Sequence, residues 1–127
     1  MMYLIDTNVF LEILLSQEKH EGCMKFLNDN IENSYITDFS LHSIGVILFK
    51  NNKEALFQKF VSDVLFNTEI ITLRKELYNK LAEAKKILGL NFDDAYQYEV
   101  AKGHQLEIVT MDTDFKKVEK EIKIMFL

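Results

Sequence analysis

With 127 residues, 48% of them hydrophobic and 28% charged, the chain is long enough to bury a core without staples and is expected to form one soluble domain over residues 1–127. Fifteen lysines and arginines against 20 acids leave a net charge of −5, which argues against a general grip on DNA through a basic stripe. No apolar run approaches the roughly 20 residues of a membrane span, and the lone Cys23 excludes an internal disulfide, so the expected location is the cytoplasm.

Tyr3–Asp6 reads as a buried strand, and Thr7–Leu15 as a helix with Val9, Phe10, Ile13 and Leu14 at helical spacing. Lys19–Asn28 is a second helix, and Ser34–Thr37 a short strand that ends at Asp38. Helices follow over Ser40–Phe49, through Leu41, Ile44, Ile47 and Leu48, and over Glu54–Leu65. Ile70–Leu73 is a third strand, Lys75–Leu88 and Asp94–Lys102 are amphipathic helices, and Glu107–Thr110 and Ile122–Phe126 are the last strands. Proline is absent, and Gly89 and Gly103 fall where helices should stop. Apolar strands alternating with helices predict a mainly parallel sheet of about five strands, covered on both faces in a three-layer α/β/α sandwich.

Ligands of such folds bind outside the carboxyl ends of the strands. Asp6, Asp38 and Asp112 each stand at a predicted strand end, and Asp93-Asp94 opens a helix. Any one of these acids is satisfied by a bland reading. Asp6-Thr7-Asn8 suits a helix N-cap, Asp112-Thr113-Asp114 suits an Asx-turn, and Asp93-Asp94 complements a helix dipole. Three separate sets point further, to carboxylates converging on a hard divalent cation such as Mg²⁺ or Mn²⁺. Repelling acids destabilise a protein unless a cation offsets them.

The run Tyr3-Leu4-Ile5-Asp6-Thr7-Asn8-Val9-Phe10-Leu11-Glu12 resembles the opening of PIN-domain proteins, a family that includes the VapC-type toxin nucleases. Asp94-Ala95, with Ala101 seven residues after the aspartate, is similar to the family's central helix. Val109-Thr110-Met111-Asp112-Thr113-Asp114-Phe115 is similar to its closing strand and acid pair. The resemblance spans nearly the whole chain in the right order. It implies a Mg²⁺- or Mn²⁺-dependent endoribonuclease that cleaves RNA by metal-activated water, usually a homodimer and often the toxin inhibited by a cognate antitoxin.

Carried over by position, the resemblance makes Asp6, Asp94 and Asp112 catalytic metal carboxylates, with Asp114 a further ligand at the mouth. Thr7, Asn8 and Thr110 would orient the carboxylates. One position departs from the family: where a glutamate is common in the helix after the second strand, this chain has Ser43. A hydroxyl is a poor cation ligand beside a carboxylate, so Asp38, Glu12 and Asp93 are the candidate substitutes. Without one, the alternative is a weakened or inactive PIN-fold module for RNA binding or protein assembly. Lys116 and Lys117 are candidate phosphate contacts or ordinary surface lysines. Tyr96 and Tyr98 could stack on bases, although packing is their commoner use, and His42 beside Ser43 reads as a solvent-facing or capping histidine ahead of a catalytic one. A phosphorylation-dependent receiver domain fits poorly, because Asp6 has no acidic neighbour and the third strand ends at Arg74.

Overall fold

A computed structural model describes Met1–Leu127. Five parallel strands, β1 (Tyr3–Ile5), β2 (Ser34–Thr37), β3 (Glu69–Ile71), β4 (Glu107–Thr110) and β5 (Ile124–Phe126), lie in the order β3-β2-β1-β4-β5. Helices α1 (Thr7–Leu14), α2 (His20–Asn30), α3 (Asp38–Lys50), α4 (Glu54–Asp63), α5 (Asn79–Leu88) and α6 (Phe92–His104) cover the two faces. Strand side chains alternate in direction, so neighbouring residues of one strand serve different cores. Leu4 and Ile108 join α5 and α6 through Leu81, Ala84, Val100 and Ala101. Ile5 and Val109 join α1 to α4 through Phe10, Leu27, Leu48 and Phe60. The result is the expected three-layer α/β/α sandwich, with an all-parallel sheet.

From β1 the chain steps outward to β2 and β3, then returns to the other side of β1 for β4 and β5. The direction of winding therefore switches between β1 and β4, and that is where a parallel sheet opens a crevice at its strand ends. The register sets Ile5 beside Val109, and the Asp6 N–H donates to Val109 O at 2.9 Å. Asp6 and the residues after Thr110 are thereby brought to the mouth of this crevice.

Several predicted boundaries shift for local reasons. β3 ends at Ile71, because the Leu73 N–H donates to the Tyr96 hydroxyl (3.0 Å) instead of extending the ladder. α3 begins at Asp38, since Thr37 caps it by accepting from the Ser40 N–H. α6 begins at Phe92, two residues before the expected start, because Asn91 Oδ1 accepts from the Asp94 N–H. The Lys75–Leu88 helix divides into a 3₁₀ turn at Lys75–Leu77 and α5. β5 starts at Ile124, because the Ile122 N–H turns back to Val118 O. Gly89 ends α5 with φ +73°, a conformation glycine adopts freely. Gly103 does not end α6; the left-handed residue there is Gln105.

The Tyr96 hydroxyl links three elements. It accepts from Leu73, two residues beyond β3, and donates to Asp38 Oδ1 on α3 at 2.7 Å. Tyr96→Phe would leave the Leu73 N–H buried without a partner. We expect it to lower the unfolding free energy by about 1–3 kcal/mol in a urea titration, with an unchanged slope. An unchanged midpoint would remove the hydroxyl's structural role.

Candidate metal centre

Asp6 follows β1 and occupies the position before α1, yet its side chain makes no capping bond. Its carboxylate is buried and held from two sides. Gln97 Nε2 on α6 donates to Oδ1 at 2.6 Å, and Thr110 Oγ1 on β4 donates to Oδ2 at 2.7 Å. Thr110 Oγ1 also accepts from the Asp112 N–H at 2.9 Å, so one hydroxyl ties Asp6 to the loop carrying the next acids. Asp112 caps the 3₁₀ turn Thr113–Val118 by accepting from the Asp114 N–H at 2.9 Å. That bond fits the Asx-turn reading, and it also orients the carboxylate.

Asp94, Asp112 and Asp114 each offer an oxygen, and the three oxygens lie within 4.8 Å of one another. Burial of Asp94, reinforced by the charges of Asp112, Asp6, Asp114 and Asp93, pushes its carboxyl up to about 7. Burial likewise raises Asp6, against the opposing hydrogen bonds from Thr110 and Gln97. No lysine or arginine neutralises the group, since the only salt bridge joins the remote pair Lys25 and Asp29. A set of hard oxygen donors carrying uncompensated negative charge fits Mg²⁺ or Mn²⁺ and disfavours softer metals. Asp94, Asp112 and Asp114 could hold such a cation, with Asp6 alongside.

The substitute acids are not brought into this triple. The Glu12 carboxylate is buried and accepts from the Lys19 N–H at 2.6 Å, which fixes the turn between α1 and α2. Asp38 is exposed and takes the Tyr96 hydroxyl. Asp93 is exposed on the first turn of α6 and reaches Asp94 only through its charge. Ser43 is half-buried on α3, outside the triple.

Asn8 Oδ1 accepts from the Met111 N–H at 3.3 Å and steadies the loop after β4. Thr7 donates to Ser40 Oγ at 2.8 Å, within a hydroxyl cluster that Thr37 completes. Lys117 Nζ donates to Gly89 O at 3.2 Å, and Lys116 Nζ lies 6.0 Å from the centre of the Phe126 ring. Tyr96 and Tyr98 are buried in the core, so packing and not base stacking is their use here. His42 is exposed and lines an apolar groove of about 610 Å³ with Leu41, Val46, Phe49 and Phe57, a groove that none of the triple borders.

Two buried polar residues that bond to candidate site residues escape the sequence reading. Gln97 stands three residues after Asp94, on the same face of α6, and that helical spacing is a signal that could have found it. Ser40, fully buried between Thr7 and Thr37, has no comparable signal, because its partners lie on other elements or at a cap.

The PIN domain family model matches residues 3–121. The chain belongs to the PIN-domain family. No curated protein sequence matches it. Among solved structures, this PIN domain is similar to a chain of FitAcB from Neisseria gonorrhoeae, with TM-score 0.75 and 20% identity over 98% of this chain and 96% of that one. It is also similar to a chain of VapBC2 from Rickettsia felis bound to a promoter DNA fragment, with TM-score 0.77 and 16% identity over 100% and 99% of the two chains. A toxin–antitoxin complex from Klebsiella pneumoniae gives TM-score 0.72 and 21% identity over 89% of both chains. At these identities the likeness is one of fold. In this PIN domain the acidic triple and Asp6 lie at the winding switch beside β1 and β4. No helix is long and apolar enough to cross a membrane.

Proposed function

We propose that this PIN domain is a Mg²⁺- or Mn²⁺-dependent endoribonuclease, the VapC-like toxin of a toxin–antitoxin pair acting in the cytoplasm. The observation that carries the reading is the convergence of Asp94, Asp112 and Asp114, without a neutralising base, at the crevice that Asp6 also faces. A bound divalent cation supplies Lewis acidity toward a phosphodiester and offsets charge on its oxygens. Asp94, Asp112 and Asp114 bind that cation, and Asp6 completes the negative field. Thr110 orients Asp6 and the Asp112 loop together, while Asn8 holds the backbone at Met111.

Protein partners are part of the same reading. The structural neighbours include toxin–antitoxin complexes, and the apolar groove along α3 and α4 suits a protein surface better than RNA. An antitoxin and a second copy of this chain are the partners proposed.

A second reading is supported by the fate of the substitute acids. Glu12 and Asp38 are committed to backbone and hydroxyl partners, and Asp93 lies outside the triple, so none of the three candidate acids joins the group in place of the carboxylate absent at Ser43. This favours a weak enzyme, or a module that keeps cation binding with little turnover. Incubating the purified protein with RNA and Mn²⁺, with EDTA and Asp112→Asn as controls, separates the two. Cleavage that both controls abolish supports the ribonuclease. Mn²⁺ binding without any cleavage supports the cation-binding module, and absence of Mn²⁺ binding overturns the enzyme and leaves a module for RNA binding or protein assembly.

A further inference from the structure

Gln97 is a buried polar side chain for which packing gives no account. It is 3% exposed, on the face of α6 that carries Asp94. Its Nε2 donates to Asp6, but its Oε1 is the only buried side-chain nitrogen or oxygen in the chain without a hydrogen-bond partner. Burial strips that oxygen of hydration and provides no replacement, a cost that an apolar side chain of similar volume would avoid. What an apolar side chain could not do is donate to Asp6. Gln97 from α6 and Thr110 from β4 close on the two oxygens of Asp6, fixing a buried carboxylate between sheet and helix. Each oxygen keeps a further lone pair for another partner.

We propose that Gln97 is a positioning residue of the cation site. Its amide holds Asp6 in the orientation from which that carboxylate acts on the cation bound by Asp94, Asp112 and Asp114. The arrangement trades stability for site geometry, as functional positions commonly do. The inference rests on the cation-binding reading of the site, and the test distinguishes the two.

Mn²⁺ is titrated calorimetrically into wild type, Gln97→Leu and Gln97→Met, and the melting temperature of each metal-free protein is recorded. Both variants keep an apolar volume close to that of glutamine, so at least one is expected to fold. Removing a partner that orients a metal carboxylate is expected to weaken Mn²⁺ binding by roughly 10- to 100-fold. The substitutions remove the unpartnered Oε1 and also the donor to the buried Asp6, two opposed effects, so the metal-free melting temperature is expected to change little. Wild-type binding with variant affinities within about fivefold of it overturns the positioning role and leaves the cation site standing. Lower melting temperatures with unchanged affinity overturn it as well, because they mark Gln97 as structural. If wild type itself binds no Mn²⁺, the cation reading fails and the inference falls with it.

Discussion

Asp94→Asn is expected to reduce Mn²⁺ affinity and RNA cleavage by on the order of 100-fold or more, because even partners one step removed from a metal cost roughly 10- to 100-fold when deleted. The same substitution should leave the metal-free protein at least as stable as wild type at pH 7.5. Asp94 is the acid on which the others converge: burial and the charges of Asp112, Asp6, Asp114 and Asp93 all oppose its ionisation. Asparagine keeps the shape and removes the charge, so repulsion within the group falls while one anionic ligand is lost. The helix start is not at stake, since α6 is capped by Asn91 accepting from the Asp94 backbone. Cleavage assays and thermal melts of the same preparation check the two halves together. Full activity in the variant would exclude Asp94 as a ligand, and a large loss of stability would mean that its charge supports the fold.

The second large effect is stabilisation by the cation, and it should depend on pH. The Asp94 carboxyl ordinarily titrates at 3.8 and is pushed up to about 7 in the folded, metal-free protein. Between those values the fold binds a proton that the unfolded chain releases. Its contribution to stability is therefore complete below the ordinary value and is lost as pH rises through about 7. Asp6 is shifted in the same direction. Cation binding has the opposite demand, since the carboxylate must be ionised to act as a ligand. Mn²⁺ affinity should therefore be about tenfold weaker at pH 6 than at pH 8, with a proton released on binding at the lower pH. At 100 times its dissociation constant a ligand adds about 2.7 kcal/mol, which for a chain of this size raises the melting temperature by roughly 10 °C. Calorimetric melts with Mn²⁺ or EDTA at the two pH values test this. A Mn²⁺ shift that is the same at pH 6 and pH 8 would show that Asp94 does not titrate with binding.

Much of the architecture is legible in the chain because it depends on local pattern. Tyr3-Leu4-Ile5 and Ile108-Val109-Thr110 are short apolar runs, long enough only for strands buried on both faces, and helical spacing marks α1, α3 and α6 between them. Asp6 and Asp112 stand where those runs stop, so their place at strand ends follows from sequence order. The shifted boundaries have equally local causes. Caps by Thr37 and Asn91 start α3 and α6 earlier than apolar spacing suggests, and the bond from Leu73 to Tyr96 ends β3 early.

The composition of the site was less accessible. Glu12, Asp38 and Asp94 are all carboxyl residues, and nothing in the chain tells which of them meet. Glu12 turns to a backbone amide seven residues away, Asp38 to a hydroxyl 58 residues away, and Asp6 to Gln97 across 91 residues. By itself the sequence determined alternating strands and helices, a parallel sheet and acids at its carboxyl edge, because periodicity and capping act over a few residues. Only the tertiary structure decided that Asp94, Asp112 and Asp114 form the triple, that Gln97 and Thr110 grip Asp6, and that Glu12 and Asp38 stand apart. Those pairings are set by strand order and by which side of α6 faces β1, and both are fixed only when the two cores pack around the sheet.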